Sequence, residues 1–294
     1  MQPPSVPKPA TLRKRYGLRA WRGIGQHFLT DPQLLDKIAA CADIHENSTV
    51  IEIGMGPGYL TAQLLAAQPR LLITIEMDQR FFDLHQEVFR GQDKLAVHYG
   101  NALDLDFGQV LERSGAADTD DLLIVGNIPY QITSPLLFKI WQGKPVPRKV
   151  VFTMQREVAE RLTCGPGTKN FGVLTIKADY YCTSRIEFEI GSKQFVPPPK
   201  VDSAVVSLTP HARTRYSGET EQKYFALINS AFAQRRKTIV NTLLGSPPFP
   251  IEKDGLLAAL EECGIDPGVR AETIAVEKFQ QLFDNLNRLS APSS

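Results

Sequence analysis

Cysteine is scarce in this sequence and is never grouped. The 294 residues include four, Cys41, Cys164, Cys182 and Cys263, and no two lie close enough for a CxxC pair. This spacing excludes a zinc ribbon, a thioredoxin-type motif and a disulfide framework. We therefore predict reduced thiols, a reducing compartment and no metal site.

Long hydrophobic runs are also missing. No apolar stretch approaches the roughly 18 residues of a membrane helix, and the N-terminus lacks the apolar core of a secretory signal. The first 30 residues are basic and acid-free, as in mitochondrial transit peptides, but Pro3, Pro4, Pro7 and Pro9 oppose an amphipathic helix. We expect a cytoplasmic protein without a membrane partner, in which residues 1–22 form a basic, disordered tail.

An overall excess of either charge is absent, because the formal net charge is only +1. Taken as an average, this value argues against a nucleic-acid partner, since such proteins usually carry a basic excess. The charge is unevenly distributed, however: residues 1–30 carry +6, 31–127 carry −10, 128–240 carry +9 and 241–294 carry −4. The basic segments can therefore form a basic surface if they meet in space.

What the sequence contains is an alternation of short apolar strands and helix-spaced segments. Strands are predicted at residues 50–53, 71–75, 95–98, 122–125 and 149–153, and helices at 59–67, 79–90 and 134–142. Strands that alternate with helices indicate a mostly parallel α/β sheet covered on both faces. Residues 185–190 and 203–208 alternate like antiparallel strands and would complete this sheet.

The character of the chain changes near residue 210. Polar residues 211–220 predict a linker. Only helical patterns follow, at residues 221–233, 236–244, 253–262 and 275–288. We therefore predict an α/β domain over residues 23–210 and a small all-helical C-terminal domain over residues 211–294.

A glycine-rich loop follows the first strand of the predicted sheet. Gly54, Gly56 and Gly58 alternate with other residues between that strand and a helix. Glycine is needed where the backbone turns sharply or lies against a ligand, and ligands bind at the carboxyl ends of such strands. Glu76 ends the next strand, where an acid can accept hydrogen bonds from both ribose hydroxyls of a nucleoside cofactor.

Two cofactors compete for this loop, beside the simpler interpretation of a glycine turn without a ligand. A dinucleotide requires G-x-G-x-x-G, whereas the spacing here is G-x-G-x-G. Glu52 also places a carboxylate beside the loop, where it would repel phosphate and attract an ammonium or sulfonium group. S-adenosyl-L-methionine carries both of these charges, so the pattern favours it over a nicotinamide cofactor and a dehydrogenase.

A second motif, Asn127-Ile128-Pro129-Tyr130, follows the fourth strand at the same edge of the sheet. Such a tetrapeptide suits methylation of an exocyclic amine, whose lone pair is delocalised and which needs orientation rather than a strong base. The Asn127 side-chain oxygen and the Pro129 carbonyl can each accept an amine hydrogen, while Tyr130 stacks on a flipped base. The alternative is a turn capped by Asn127 with a core tyrosine.

Four further segments accompany these two motifs in order: residues 25–29 (GQHFL), 154–161 (MQREVAER), 195–203 (FVPPPKVDS) and 232–238 (FAQRRKT). Over roughly residues 20–290, the chain resembles the ribosomal RNA adenine N6,N6-dimethyltransferases of the KsgA/RsmA type. The resemblance implies a Rossmann-like, S-adenosylmethionine-dependent methyltransferase domain followed by a helical domain. It also implies a monomeric ribosome-biogenesis enzyme that dimethylates two adjacent adenosines in the 3′-terminal hairpin loop of small-subunit (16S) rRNA, within an immature 30S-type particle.

The resemblance also implies roles for particular residues. It assigns the cofactor to the glycine loop, with Gly54, Gly56 and Gly58, and to His27, Leu29, Glu76, Asn101 and Asn127. The family generally has Asn in place of His27 and Asp in place of Asn101; the Asn101 carbonyl still supplies an acceptor for the cofactor's adenine amine. Phe195 matches a second aromatic wall, which with Tyr130 would sandwich the target adenine.

The basic triplet Arg235, Arg236 and Lys237 is a candidate RNA-binding site, although most such triplets are solvated helix faces. Two other functions remain open. An Erm-type enzyme acting on large-subunit rRNA would share the glycine loop and the tetrapeptide. A non-catalytic RNA-binding assembly or transcription factor would share the fold, but the intact Glu76, Asn127, Pro129 and Tyr130 argue against it.

Overall fold

The computed structural model describes residues 4–21, 23, 25–245, 249 and 251–290. The chain divides into two compact units, one of residues 1–159 and 185–210 and the other of residues 160–184 and 211–294. The sequence placed residues 160–184 in the first domain, and the structure corrects this assignment.

Strands of the first unit form two sheets. In the described residues the strands are β1 (Phe28–Leu29), β2 (Thr49–Ile53), β3 (Leu71–Glu76), β4 (Leu95–Tyr99), β5 (Leu122–Asn127), β6 (Lys149–Gln155), β7 (Cys182–Ile190), β8 (Phe195–Val196) and β9 (Ser203–Pro210). The larger sheet has the order β4-β3-β2-β5-β6-β9-β7. Its strands from β4 to β6 are parallel, and β9 is antiparallel to β6. The predicted Rossmann-like α/β class is confirmed, as are all seven predicted strands.

Helices cover this sheet and make up most of the second unit. In the described residues they are α1 (Pro9–Tyr16), α2 (Pro32–Cys41), α3 (Tyr59–Ala66), α4 (Phe82–Val88), α5 (Phe107–Arg113), α6 (Thr133–Gln142), α7 (Arg156–Thr163), α8 (Val173–Tyr181), α9 (Gly218–Phe232), α10 (Ile239–Gly245), α11 (Lys253–Glu262) and α12 (Val276–Leu289). Buried apolar side chains explain the α/β core: Val50, Leu72, Leu123 and Val151, on four neighbouring strands, belong to one cluster. No helix among the described residues is long and apolar enough to cross a bilayer.

The N-terminal segment is not disordered where the structure describes it, which corrects the predicted tail. Pro9 occupies the first position of α1, where its missing N–H costs no hydrogen bond. Leu12 is 1% exposed and, with Leu18, packs against Phe81 and Leu84. Burial of these leucines gives the helix a tertiary anchor that the proline-rich sequence did not suggest. Residues 1–3 and 22 of the predicted tail lie outside the described residues.

The second unit has an aromatic core. The Tyr224 ring centroid lies 5.2–5.5 Å from those of Tyr180, Tyr216, Phe225 and Phe283. Tyr180 belongs to α8, and this packing explains why residues 160–184 join the C-terminal helices. The four predicted C-terminal helices correspond to α9–α12, although α9 begins within the predicted linker, at Gly218.

Candidate functional site

A cavity lies in the first unit at the carboxyl ends of β2, β3, β4 and β5. Its walls bring together ten of the predicted site residues: His27, Leu29, Gly54, Gly56, Glu76, Asn101, Asn127, Pro129, Tyr130 and Phe195. These residues come from six separate stretches of sequence. Four of these stretches meet because the parallel strands β2 to β5 end at the same edge of the sheet, and the antiparallel ribbon of β1 and β8 supplies the other two.

The glycine loop forms one wall of this cavity. Gly54, Gly56 and Gly58 have φ angles of +80°, +54° and +96°, a region that favours glycine. Gly58 was predicted to contact the cofactor, but it does not border the cavity. It precedes α3, and a Cβ there would lie 2.4 Å from Phe89 Cζ. The structure therefore accounts for Gly58 by backbone conformation and close packing.

Glu76 holds the loop from the neighbouring strand. Its Oε2 accepts a hydrogen bond of 2.6 Å from the Gly56 N–H, and its Oε1 accepts one of 2.7 Å from the Asp78 N–H. The side chain is 4% exposed, and burial raises the pKa of Glu76 although these two N–H groups oppose the rise. A carboxylate has about four lone-pair sites, so acceptor positions remain for ribose hydroxyls.

Glu52 lies within β2 and does not border the cavity, contrary to the expected electrostatic role. It is fully buried and accepts a hydrogen bond of 2.6 Å from Thr61 Oγ1 on α3. Its Oε1 has no hydrogen-bond partner in the structure. Burial raises the pKa of Glu52 to about 8, so the side chain is mostly neutral at pH 7. A neutral, enclosed carboxyl does not attract a cationic ligand as the sequence suggested.

Asn127 ends β5 and faces the cavity with a fixed amide. Its Nδ2 donates a hydrogen bond of 3.0 Å to the His27 carbonyl. A carbonyl only accepts, so this bond fixes the amide orientation and leaves Oδ1 as an acceptor. The Pro129 carbonyl accepts a hydrogen bond from the Ile132 N–H at 3.1 Å, and its second lone pair remains. The turn therefore offers two oxygen acceptors.

Tyr130 and His27 form an aromatic pair beside these acceptors. Their ring centroids are 6.0 Å apart with an interplanar angle of 24°. Tyr130 Oη is hydrogen-bonded to Ser203 Oγ at 2.7 Å, and burial raises the pKa of Tyr130. His27 Nδ1 lies 2.7 Å from the Pro197 carbonyl, and because a carbonyl only accepts, Nδ1 donates this hydrogen bond.

Phe195 borders the cavity from within the core. It is 2% exposed and pairs with Leu29 across the short antiparallel ribbon of β1 and β8. Both residues belong to the main apolar cluster of the unit. Phe195 is therefore a nearly buried wall in the structure, whereas the sequence predicted a ring able to sandwich a base with Tyr130.

The Asn101 side chain makes two hydrogen bonds within its own loop. Its Oδ1 accepts a hydrogen bond of 3.1 Å from the Leu103 N–H, and its Nδ2 donates one of 2.9 Å to Asp104 Oδ2. One lone pair of Oδ1 remains for a donor such as an adenine amine.

Sequence reasoning missed Gln26, a further residue of the cavity wall. Gln26 is 8% exposed, its Oε1 accepts from the Trp21 N–H at 2.7 Å, and its Nε2 donates to Asp78 Oδ2 at 3.1 Å. Gln26 lies within residues 25–29 (GQHFL), a segment that supported the family resemblance and could also have indicated this residue.

The basic triplet lies in the turn between α9 and α10 of the second unit, and its three side chains are not equivalent. Arg235 donates to the Lys169 carbonyl at 2.8 Å and lies 3.6 Å from the Glu272 carboxylate. Arg236 and Lys237 are exposed. Arg235 therefore also stabilises its own unit, where the sequence predicted only RNA binding. Within the described residues, no cluster of three or more His, Cys, Asp or Glu side chains is arranged to hold a metal ion.

Comparison with known proteins gives one consistent result. The family model described as ribosomal RNA adenine dimethylase matches residues 18–288. Ribosomal RNA small subunit methyltransferase A of Anoxybacillus flavithermus is 36% identical over 276 residues, covering 94% of this chain and 93% of that protein. The Myxococcus xanthus protein of the same name is 36% identical over 287 residues, covering 97% and 98%.

Two solved structures are similar over most of the chain. A dimethyladenosine transferase from Plasmodium falciparum has a TM-score of 0.74 and 29% identity, covering 89% of this chain and 98% of that one. The 23S rRNA methyltransferase ErmE has a TM-score of 0.69 and 25% identity, covering 88% and 99%.

Proposed function

Because this chain belongs to the ribosomal RNA adenine dimethylase family, we propose that it methylates two adjacent adenosines in the 3′-terminal hairpin loop of small-subunit rRNA. The chain is an S-adenosylmethionine-dependent rRNA adenine dimethyltransferase, and the product at each site is N6,N6-dimethyladenosine. The observation that supports this site most directly is Asn127, whose anchored amide leaves an oxygen acceptor for the target amine.

The residues around the cavity fit S-adenosylmethionine. Glu76 retains acceptor positions suited to ribose hydroxyls, and Asn101 retains one suited to an adenine amine. Gly54 and Gly56 keep the loop free of side chains where the cofactor's amino-acid part would lie. When bound, the cofactor supplies a methyl group made electrophilic by its sulfonium centre.

Asn127 and Pro129 orient the nucleophile. The adenine amine has two hydrogens, which the Asn127 Oδ1 and the Pro129 carbonyl can accept. Such hydrogen bonds favour tetrahedral geometry at nitrogen and direct its lone pair out of the ring plane. Orientation of this kind lowers the barrier without requiring a strong base.

Tyr130, with His27 behind it, provides the surface on which the flipped adenine stacks, and Phe195 closes the cavity from the core side. Stacking on an aromatic ring contributes about 1–3 kcal/mol per base. That gain offsets the few kcal/mol needed to unstack a loop nucleotide.

RNA binding is predominantly electrostatic in this proposal. Helix α1 exposes Arg13, Lys14 and Arg15, and the second unit exposes Arg236 and Lys237. Neutralised phosphates release counterions, so affinity must fall steeply as salt is added. An affinity that does not change between about 50 and 200 mM salt would contradict this part of the proposal.

The proposed setting follows from the substrate. We infer that the enzyme acts in the cytoplasm as a monomer, on rRNA within an immature 30S-type particle. Sedimentation of the free enzyme tests the monomer, and sedimentation of its mixture with such particles tests the preference for immature subunits. A free dimer, or no preference for immature particles over mature ones, would contradict them.

The decisive experiment is mass spectrometry of rRNA after incubation with the protein and S-adenosylmethionine. Immature small subunits and naked large-subunit RNA are compared in parallel. We expect two dimethyladenosines in one small-subunit fragment. Methylation of large-subunit RNA alone would establish the Erm-type activity instead. RNA binding without methyl transfer to either substrate would establish a non-catalytic factor.

A further inference from the structure

A buried histidine contacts the glycine loop from behind the cavity. His85 of α4 is 3% exposed and does not border the cavity. Its Nε2 lies 2.7 Å from the Gly56 carbonyl oxygen, and its Nδ1 lies 2.7 Å from Tyr99 Oη. Both ring nitrogens therefore have partners at hydrogen-bond distance, and one of these partners is the loop itself.

The chemistry of Gly56 and Tyr99 determines which ring nitrogen of His85 carries the hydrogen. A carbonyl oxygen only accepts, so Nε2 of His85 donates to Gly56. In the neutral ring Nδ1 then accepts, and the Tyr99 hydroxyl donates to it. The chain of hydrogen bonds runs from Tyr99 through His85 to Gly56, and it requires the neutral form of the imidazole.

These bonds connect three loops of the site. The Gly56 N–H donates to Glu76 at the end of β3, while the Gly56 carbonyl accepts from His85 on α4. Tyr99 ends β4, two residues before Asn101. His85, on the helix that follows β3, thus links the glycine loop after β2 to the end of β4, which precedes Asn101, while Gly56 itself binds Glu76 at the end of β3.

We propose that His85 is a positioning residue, which with Tyr99 holds Gly56 in the conformation that binds S-adenosylmethionine. This inference rests on the proposed function only in that the cavity is the cofactor site. The anchored loop needs no reordering when the cofactor binds, so loss of the anchor weakens cofactor affinity more than it slows methyl transfer.

The surroundings of His85 keep the ring neutral at physiological pH. Its neighbours are the aromatic rings of Phe81 and Phe89, with centroids at 5.9 and 6.3 Å, and that of Tyr99 at 6.0 Å. Burial lowers the pKa of His85, and the Gly56 carbonyl and the Asp78 charge oppose this effect. Burial, together with the charges of Glu76 and Asp83, raises the pKa of Tyr99 to about 12.

Protonation would reverse one bond of the chain. Nδ1 of an imidazolium donates, so it no longer accepts from the Tyr99 hydroxyl, and a cation is left in an apolar enclosure. Cofactor affinity should therefore fall in acid, at a pH below the ordinary histidine pKa of about 6.5.

Calorimetric titration of the full-length protein with S-adenosylmethionine tests the proposal without requiring catalysis. His85→Leu removes both hydrogen bonds, and Tyr99→Phe removes only one. His85→Gln preserves a donor for Gly56 and has no titratable group. We expect Kd to rise about tenfold in His85→Leu, less in Tyr99→Phe, and little in His85→Gln. The acid-induced loss of affinity should be smaller in His85→Gln than in the wild type, with the remainder due to protonation of Glu76, and kcat at saturating cofactor should change much less than KM.

His98→Leu provides a matched control. His98 lies on β4 with Nε2 2.7 Å from Ser114 Oγ, and it has no bond to the loop. We expect its cofactor Kd to equal that of the wild type. Wild-type affinity in Tyr99→Phe together with an unchanged acid profile in His85→Gln would overturn the proposal, even if His85→Leu failed to fold. A wild-type protein that bound no S-adenosylmethionine would instead contradict the proposed function.

Discussion

The glycine loop of residues 54–58 and the turn of residues 127–130 are neighbours that differ in backbone conformation and in the groups they present to the cavity. They follow β2 and β5, which pair in parallel with Glu52 opposite Val125. The loop combines left-handed backbone with buried anchors and presents main chain to the cavity. The turn has an ordinary backbone, is fixed by hydrogen bonds to His27, Ile132 and Ser203, and presents an amide oxygen and an aromatic ring.

This difference predicts that substitutions in the turn and in the loop impair different properties of the protein. Damage to the turn removes the atoms that are proposed to contact the reacting amine, so chemistry should be lost while the fold remains. Damage to the loop changes a shape, so cofactor affinity or folding stability should be lost first. Four substitutions test this distinction.

Asn127→Ala should lower kcat by at least about 10²- to 10³-fold, because it removes the oxygen that orients the amine. RNA affinity should remain nearly that of the wild type, since the proposed phosphate contacts are made by other residues. Single-turnover methylation and filter binding of the same RNA measure the two quantities. Comparable loss of both would show that Asn127 is structural, and the contrast between turn and loop would fail.

Glu76→Ala should weaken cofactor binding by about 10- to 100-fold, because hydrogen bonds to a charged group are stronger than neutral ones. The Gly56 and Asp78 N–H groups would also lose their acceptor. Equilibrium titration with S-adenosylmethionine measures this effect. Glu52→Gln, on the adjacent strand but outside the cavity, is the control and should change Kd much less.

Gly58→Ala should destabilise the first unit by about 2 kcal/mol, through backbone strain and collision of the new Cβ with Phe89. Gly91→Ala isolates the strain, because Gly91 has φ +76° and no atom within 4 Å of the added Cβ. Urea unfolding of both variants measures the difference. Equal destabilisation would mean that Phe89 moves aside without cost.

Glu52→Gln should change how steeply the free energy of unfolding depends on pH. The pKa of Glu52 is raised to about 8 in the folded state, against about 4.3 for an unperturbed glutamate. Between these values the folded state keeps a proton that the unfolded state loses, so stability falls as pH rises. The glutamine variant should show a shallower decline between pH 5 and 8 in urea unfolding. An unaltered slope would mean that Glu52 is ionised in the folded protein.

Local sequence patterns predicted the strands, because their apolar residues indicate burial without knowledge of a distant partner. The strands around Ile51, Ile73 and Ile124 are apolar and bounded by turn residues, and all appear where expected. The glycine loop and the tetrapeptide were found for the same reason, since the required conformation and side chains are contiguous in sequence.

Features that depend on a distant partner were not predictable in this way. Helix α1 has only one fully buried side chain, Leu12, and its anchor, Phe81, is some 70 residues away. No helix was predicted at α8, whose packing partners lie in α9. The contacts of His85 with Gly56 and Tyr99 arise only once three loops converge.

The anchored amide of Asn127 has a consequence for when the enzyme releases its product. Because Nδ2 is committed to the His27 carbonyl, the cavity presents oxygen acceptors to the amine. Unmethylated adenine offers two hydrogens to these acceptors and monomethyladenine offers one, whereas dimethyladenine offers none. In the proposed mechanism each transfer would remove one bond that retains the base, and the site would favour departure once the amine has no hydrogen left. The fixed orientation of the Asn127 amide would therefore favour product release after two methyl transfers.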